Sequence, residues 1–427
     1  MIKIKKFKLG CTYSSNPQTY STAIKSTVTN IFENVKANKD NAIIELTKQF
    51  DAPKMSPKFN LIVSETEIKN AYKLVSKEFK EALDITIENV TEFHSHQLPT
   101  NWMKESTQGY YFGMQYSPIE IAGLYVPGGK ALYPSSVCMN AIPAKIAGVS
   151  TLVMTTPPQE DGSIAPELLV AAQECGVDII IKAGGAQAIF GLALGTNSIP
   201  KVDKIVGPGN AYVDCAKQHV YGLVDIDKPA GPSEVLVVVE ESKYAHFAAA
   251  ELLTQCEHDP DASGAIVSTN NDILELVQAE LKTQLKSLKR KDILTQSLKN
   301  SALYLVDSQE EAINAINEIA TEHLALLLDD VDTYLPKIKH AGAIFCGPYT
   351  PVTMGDYIAG PNHVLPTAKA ARFSSALSVM DFMKFSSILN CDKDTLKKYA
   401  SHIKTLTTVE KLDAHNKAVE IRLNKKK

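Results

Sequence analysis

The sequence predicts an α/β protein of two parallel-sheet lobes, each Rossmann-like but incomplete, with a helical N-terminal segment and a helical C-terminal tail. Three observations carry this expectation. After Trp102 the chain turns to short β-branched runs, each closed by glycine or proline and followed by a helix-length segment. That cycle occurs in two blocks, over about 119–229 and about 234–345. Before the first block, apolar residues recur instead at spacings of three and four, which is the period of a helix.

Taken in order, the helical spacing covers 21 to about 97, strongest over 23–50 and 68–93. In the first block, strands are expected at 121–126, 151–155, 178–182 and 204–206, alternating with helices that begin near Ser135, Pro166, Ala186 and Asn210. The second block repeats the scheme with strands at 235–239, 265–268, 303–306, 324–328 and 343–345. Beyond Gly347 a stretch rich in proline and glycine runs to Pro366, and from about Ser378 the pattern is mostly helical. No low-complexity linker or repeat array interrupts it.

The totals agree with this organisation. A chain of 427 residues exceeds what one hydrophobic core usually organises. Its 44% hydrophobic and 22% charged residues are ordinary for a soluble protein, and no apolar run approaches the roughly 20 residues needed to span a bilayer. The N-terminus alternates lysines with single apolar residues and lacks the apolar core of a secretory signal, so the cytoplasm is the expected location. Acidic and basic residues, 48 and 44, are spread evenly to a net charge of −4, and the basic tail 425–427 is short, which argues against nucleic acid as a partner. With only Arg290, Arg372 and Arg422 as arginines, any phosphate must be held mainly by backbone amides or lysine. The seven cysteines, at 11, 138, 175, 215, 256, 346 and 391, form no CxxC pair, so neither a disulfide framework nor a thiolate metal site is expected.

Three strand-to-helix junctions of the first block carry tight glycine chemistry: Pro127-Gly128-Gly129, Gly184-Gly185-Ala186-Gln187 and Gly207-Pro208-Gly209-Asn210. In a right-handed parallel sheet these turns share one rim, where ligands of doubly wound sheets bind. Glycine lets backbone N–H groups approach an anion such as a dinucleotide pyrophosphate. None matches GxGxxG or a Walker A sequence, so each alone reads as a tight βα turn; three on one rim point towards a nucleotide.

The second block holds the titratable candidates. Gln255 and His258 lie three apart at the exit of a helix closed by Pro260, an arrangement open to a cation but, taken alone, read first as a solvated helix end. Glu322 and His323 end another helix; they are either a surface charge pair or two groups able to move protons near neutral pH. Both pairs belong to the strand-entry rim and could lie close together. Asp356 and His363 sit in a glycine-bounded loop, and Glu410 and His415 in a tail helix with apolar Leu412, Val419 and Leu423. His94, His96, His219, His246, His340 and His402 stay unassigned.

These fragments also form one ordered set. GLYVPGG (123–129), YPSSV (133–137), GGAQAI (184–189), KVDKIVGPGNAYV (201–213), AGPSEVLV (230–237), QCEHD (255–259), EHLAL (322–326), GDYIAGPNHVLPT (355–367) and LDAHNKAV (412–419) resemble the histidinol dehydrogenase family at its spacing, over roughly 60–424. Departures are few: Cys256 stands where the family usually has alanine, and Pro361 replaces a common polar residue.

The resemblance implies oxidation of L-histidinol through L-histidinal to L-histidine with two NAD. It implies Glu322 and His323 as acid-base residues, and Tyr125, Gln187 and Asn210 as NAD contacts. It implies one zinc ion per subunit on Gln255, His258, Asp356 and His415, and substrate contacts from those four with Ser233, His323 and Glu410. It further implies a homodimer whose tails are exchanged. The domains expected are a tail at 1–21, a larger lobe at 22–118 plus 233–377 for metal and substrate, an NAD lobe at 119–232, and an exchanged tail at 378–427. In that chemistry His323 accepts the hydroxyl proton, Glu322 activates the water that hydrates the aldehyde, and zinc orients the amino alcohol. The competing expectations are a zinc hydrolase using Glu322 and a two-lobed binding protein without turnover.

Overall fold

The computed structural model describes residues 2–10, 20–128, 132–228 and 231–424. Cys11, Gly129 of the first glycine turn, Ala230 and the basic tail 425–427 lie outside the described residues. The chain divides into two compact units, Met1–Gln97 with Ile119–Phe382, and Leu98–Pro118 with Met383–Lys427.

In the first unit, β1 (Ile4–Lys6) is followed by the long α1 (Thr22–Phe50), then α2 (Glu65–Leu74) and α3 (Lys77–Ser95). The helical spacing over 68–93 is broken at Val75, which is extended, because Ser76 begins a new helix by accepting from Phe79 N–H at 3.1 Å. The second unit contributes the next two strands in sequence, β2 (Trp102–Glu105) and β3 (Tyr111–Pro118).

Back in the first unit comes the first run of βα units. It comprises β4 (Ile121–Tyr125), α4 (Pro134–Ala147), β5 (Thr151–Thr156), α5 (Pro166–Glu174), β6 (Ile179–Lys182), α6 (Gly185–Leu194), β7 (Lys204–Val206), α7 (Ala211–Val220) and β8 (Asp225–Ile226). The strands form one parallel sheet in the order β6-β5-β4-β7-β8, doubly wound about β4. Their almost continuous burial is what a sheet covered on both faces requires. Val28, Val35 and Ile43 of α1 pack with Ile189 and Phe190 of α6 and Val213 of α7, so the N-terminal helix joins the core of this lobe.

A second run follows: β9 (Glu234–Val239), α8 (Ala245–Cys256), β10 (Ser263–Ser268), α9 (Asn271–Gln284), α10 (Lys291–Ser297), β11 (Ala302–Leu305), α11 (Gln309–Ile319), β12 (His323–Leu327), β13 (Ala343–Cys346) and the short α12 (Val352–Tyr357). These strands make a six-stranded parallel sheet, β1-β11-β10-β9-β12-β13. Val235, Val237 and Val239 face α8 and α9, whereas Leu236 and Val238 face α11, as the alternation of a strand dictates. The edge strand β1 is formed by the lysine-rich N-terminus, whose charged residues stay exposed as on many sheet edges.

In the second unit, β14 (Met383–Asn390) pairs antiparallel with β3 from Met383↔Pro118 to Asn390↔Tyr111, and β2 borders β3. Helices α13 (Lys393–Val409) and α14 (Asp413–Leu423) pack together, α13 starting at the Asp392 cap. Among the described residues no helix is long and apolar enough to cross a membrane.

Candidate functional site

The strand ends of the five-stranded sheet and the strand starts of the six-stranded sheet line one cleft of about 610 Å3. Tyr125, Gly128, Gly209 and Asn210 come from the first lobe, and Ser233, Gln255, His258, Glu322, His323 and Asp356 from the second.

The first-lobe wall is set by the turn after β7. Gly207 has φ +112°, and a Cβ there would lie 2.1 Å from the Tyr125 carbonyl oxygen, so no other residue fits. Its N–H donates to Asp227 Oδ2 at 2.9 Å, and its carbonyl accepts from Lys217 Nζ at 2.9 Å. Lys217 and Asp227 form an ion pair with both side chains almost wholly buried. Asn210 then caps α7, its Oδ1 accepting from Tyr212 and Val213 N–H at 3.0 and 3.1 Å. On the turn after β6, Gly185 N–H donates to the Tyr125 hydroxyl at 3.2 Å, and burial pushes that phenol up to about 12. Gln187, in the same turn, is buried and its Nε2 has no hydrogen-bond partner among the described residues.

The second-lobe wall begins where α11 stops. Ala320 adopts a left-handed conformation (φ 51°) that closes the helix, and Glu322-His323 enter β12 between β9 and β13. Gly342 of the neighbouring strand approach sits so close that a Cβ would lie 2.5 Å from the Glu322 carbonyl. Glu234 N–H donates to Glu322 Oε2 at 2.8 Å, and His323 Nδ1 faces the Glu234 carbonyl at 3.1 Å. His323 Nδ1 is also 3.4 Å from Glu322 Oε2, and Nε2 is 3.5 Å from Asp356 Oδ1. Burial alone would lower the His323 pKa, but the Glu322 and Asp356 carboxylates outweigh it and hold it well above the ordinary histidine value. Burial acts in the opposite sense on Asp356, yet His323, with His363 and His258 beyond it, keeps its carboxyl below the usual range.

Asp356 is placed by α12 and the loop after it. Glu251, buried in α8 one turn before Gln255, accepts from Val352 N–H at 3.2 Å and so fixes the start of α12. His363 Nδ1 meets the Asp356 carbonyl at 2.9 Å and its Nε2 meets Ser136 Oγ at 3.2 Å, while burial lowers its pKa. Asn362 Nδ2 donates to the Met139 carbonyl at 2.6 Å and reaches His94 Nε2 at 3.3 Å. Lys228 Nζ donates to the Val364 carbonyl at 3.1 Å, its pKa lowered by burial. His94, unassigned from sequence, is thus a buried support of the loop. Spacing alone does not reveal Lys217, Asp227, Lys228 and Glu251, whose side chains act on backbone groups between 10 and 136 positions away.

Glu410 and His415 belong to the second unit, where both are exposed. The expectation of zinc is overturned. Gln255, His258 and Asp356 line the cleft, but among the described residues no group of three or more His, Cys, Asp or Glu side chains is placed to hold a metal ion. The Asp356 carboxylate is instead paired with His323. The zinc ion, the four-ligand set with His415 and the description of a zinc-dependent enzyme are withdrawn, and the zinc hydrolase alternative goes with them.

The sequence model of the histidinol dehydrogenase family matches residues 14–423. The chain belongs to the histidinol dehydrogenase family. It is 47% identical over 400 residues to a histidinol dehydrogenase of Clostridium acetobutylicum, covering 93% of this chain and 92% of that protein. A Halalkalibacterium halodurans histidinol dehydrogenase is 46% identical over 400 residues, with 93% and 94% covered. The crystal structure of histidinol dehydrogenase from Elizabethkingia anophelis superposes with a TM-score of 0.94 at 37% identity, covering 99% of this chain and 98% of that one. Family membership therefore extends across both sheets and the cleft between their edges.

Proposed function

We propose that this protein is a dehydrogenase that oxidises L-histidinol to L-histidine through L-histidinal, using two NAD in succession. The observation that carries the reading is the cleft itself, where Glu322 and His323 on one wall face the glycine turns of the 119–232 lobe on the other. Those turns suit a dinucleotide: Gly207 and Gly209 leave room for close backbone approach, Asn210 starts a helix at the rim, and Gln187 has a buried amide donor to offer. Tyr125, Gln187 and Asn210 would hold the cofactor. NAD, when bound, supplies the hydride acceptor for both oxidations.

The chain's own residues would then bind, orient and move protons. Gln255 Oε1, buried and without a hydrogen-bond partner among the described residues, can accept an N–H of the substrate. The Asp356 carboxylate, held ionised, can face its ammonium, with Ser233 and His258 completing this wall. His323 Nδ1, turned to the Glu234 carbonyl, leaves Nε2 as the atom that takes the hydroxyl proton when the alcohol is oxidised. Glu322 takes a proton from the water that adds to the aldehyde, and the resulting hydrate loses the second hydride.

Homodimerisation belongs to the same proposal, with Glu410 and His415 delivered by the tail of a second copy, as their exposure on the second unit permits. So does a cytoplasmic setting. The test is to supply L-histidinol and NAD and follow NADH absorbance with product analysis. Two NADH for each L-histidine formed supports the reading; no NADH, or a product other than L-histidine, overturns it.

A further inference from the structure

The turn after β6 does not present its first two amides to a phosphate. Gly185 N–H is taken by the hydroxyl of Tyr125, and the Asp51 carboxylate faces the Gly184 N–H, which works against burial to hold its pKa down. What this turn offers a ligand is an acceptor. Asp51 ends α1, where its own N–H closes the helix on the Thr47 carbonyl at 2.9 Å. Its Oδ2 is buried and has no hydrogen-bond partner among the described residues. On the same turn Gln187 likewise has a buried Nε2 without a hydrogen-bond partner among the described residues.

Asp51 lines a second cavity, of about 670 Å3, with Lys54, Gly128, Pro157, Glu160 and Asp161. Gly128 lines this cavity and the main cleft alike, so a ligand lying along the glycine rim would extend from one into the other. Its described lining is acidic: three carboxylates, Asp51, Glu160 and Asp161, stand against one lysine, Lys54, which is paired with Glu160 at 2.5 Å, and among the described residues no lysine pairs with Asp51 or Asp161. Carboxylates of this kind accept from hydroxyl groups and repel a phosphate ester.

We infer that Asp51 binds the ribose hydroxyls of the adenosine half of the dinucleotide, and that the acidic cavity around it rejects a ribose carrying a 2′-phosphate. The inference rests on the NAD reading above and adds the residue that distinguishes NAD from NADP. Doubly wound dinucleotide sites commonly place such an acid after the second strand; here it arrives from the end of the helix that packs beneath the sheet. Burial pushes the Asp51 carboxyl up to about 6, so the charged acceptor is complete only above that pH.

The experiment measures KM and kcat for NAD and for NADP at saturating L-histidinol, at a pH near 8, in the full-length protein and in Asp51→Asn. Binding of ADP-ribose and of its 2′-phosphate is measured separately by calorimetry. The expected result is that Asp51→Asn weakens ADP-ribose binding and raises KM for NAD by about tenfold or more, with kcat little changed and the preference over NADP reduced. Unchanged ADP-ribose affinity and an unchanged NAD to NADP ratio in a folded Asp51→Asn protein would overturn the inference. If that variant does not fold, Glu160→Gln with Asp161→Asn decides: improved use of NADP supports the inference, and an unaltered ratio refutes it. Failure of the parent protein to bind ADP-ribose or reduce NAD would sink the NAD reading itself, a distinct outcome.

Discussion

Glu322 Oε2 lies 3.4 Å from His323 Nδ1, and both groups are anchored on one residue of the next strand, the N–H and carbonyl of Glu234. Neighbours along a strand ordinarily point to opposite faces; these two converge because they sit at the strand's entrance, where the chain has just left α11. Two proton-handling groups are therefore fixed by backbone, which does not change charge during a reaction.

That arrangement predicts a separation of roles. His323→Ala should slow the first oxidation by about 10²–10⁴-fold, the usual contribution of a positioned acid or base. Glu322→Ala should retain the first oxidation and stall at the aldehyde. Single-turnover NADH formation from L-histidinol, compared with turnover of added L-histidinal, separates the two. Equal loss of both steps in each variant would contradict the division.

The pH dependence of the first step follows from the raised His323 pKa. The imidazole accepts a proton only in its neutral form, so the rate of the first turnover should rise with pH through an inflection above the ordinary histidine value and then level off. Glu322→Gln removes one of the two carboxylates that hold the pKa up, so the inflection should move to lower pH. A stopped-flow profile with an inflection unmoved by Glu322→Gln would remove His323 as the titrating group.

How far the sequence discloses this site depends on the kind of residue. The β-branched runs, and the glycine turns after β4, β6 and β7, mark both sheets and the rim, because burial and backbone conformation leave local traces. Glu322, His323, Gln255 and Asp356 stand out by chemistry and by family likeness. The antiparallel sheet of β2, β3 and β14 leaves no such trace: β14 pairs with β3 across more than 260 positions, and residues such as Met103, Phe112 and Leu389 are exposed without regular alternation. The metal expectation comes from family likeness and not from the helix-end spacing of Gln255 and His258, and among the described residues no group of three or more His, Cys, Asp or Glu side chains is placed to hold one.

Gly342→Ala tests whether backbone approach positions Glu322. A Cβ at 342 would lie 2.5 Å from the Glu322 carbonyl and 3.2 Å from Pro366 Cδ, so β12 and the strand approach beside it must move apart. A loss of about 1–3 kcal/mol is expected, as for other overpacked sites. The displacement falls at the acid itself, so aldehyde oxidation should suffer beyond what the fall in Tm explains. Normal aldehyde oxidation in a destabilised protein would show that Glu322 tolerates the shift.

The buried pair Lys217–Asp227 offers a sharper separation of stability from function. Each side chain is about 1% exposed, and together they bind both backbone groups of Gly207, the residue that shapes the rim below Tyr125. Lys217→Met strands the Asp227 charge and should cost about 3–5 kcal/mol, read as a large drop in Tm. Adding Asp227→Leu removes the stranded charge and should restore part of the lost Tm. It cannot restore the hydrogen bonds to Gly207, so KM for NAD should remain raised in the double variant while the proton-transfer wall, built on the other sheet, keeps its pH profile. Recovery of both Tm and KM would mean that the pair serves the core alone and that the turn holds its shape without it.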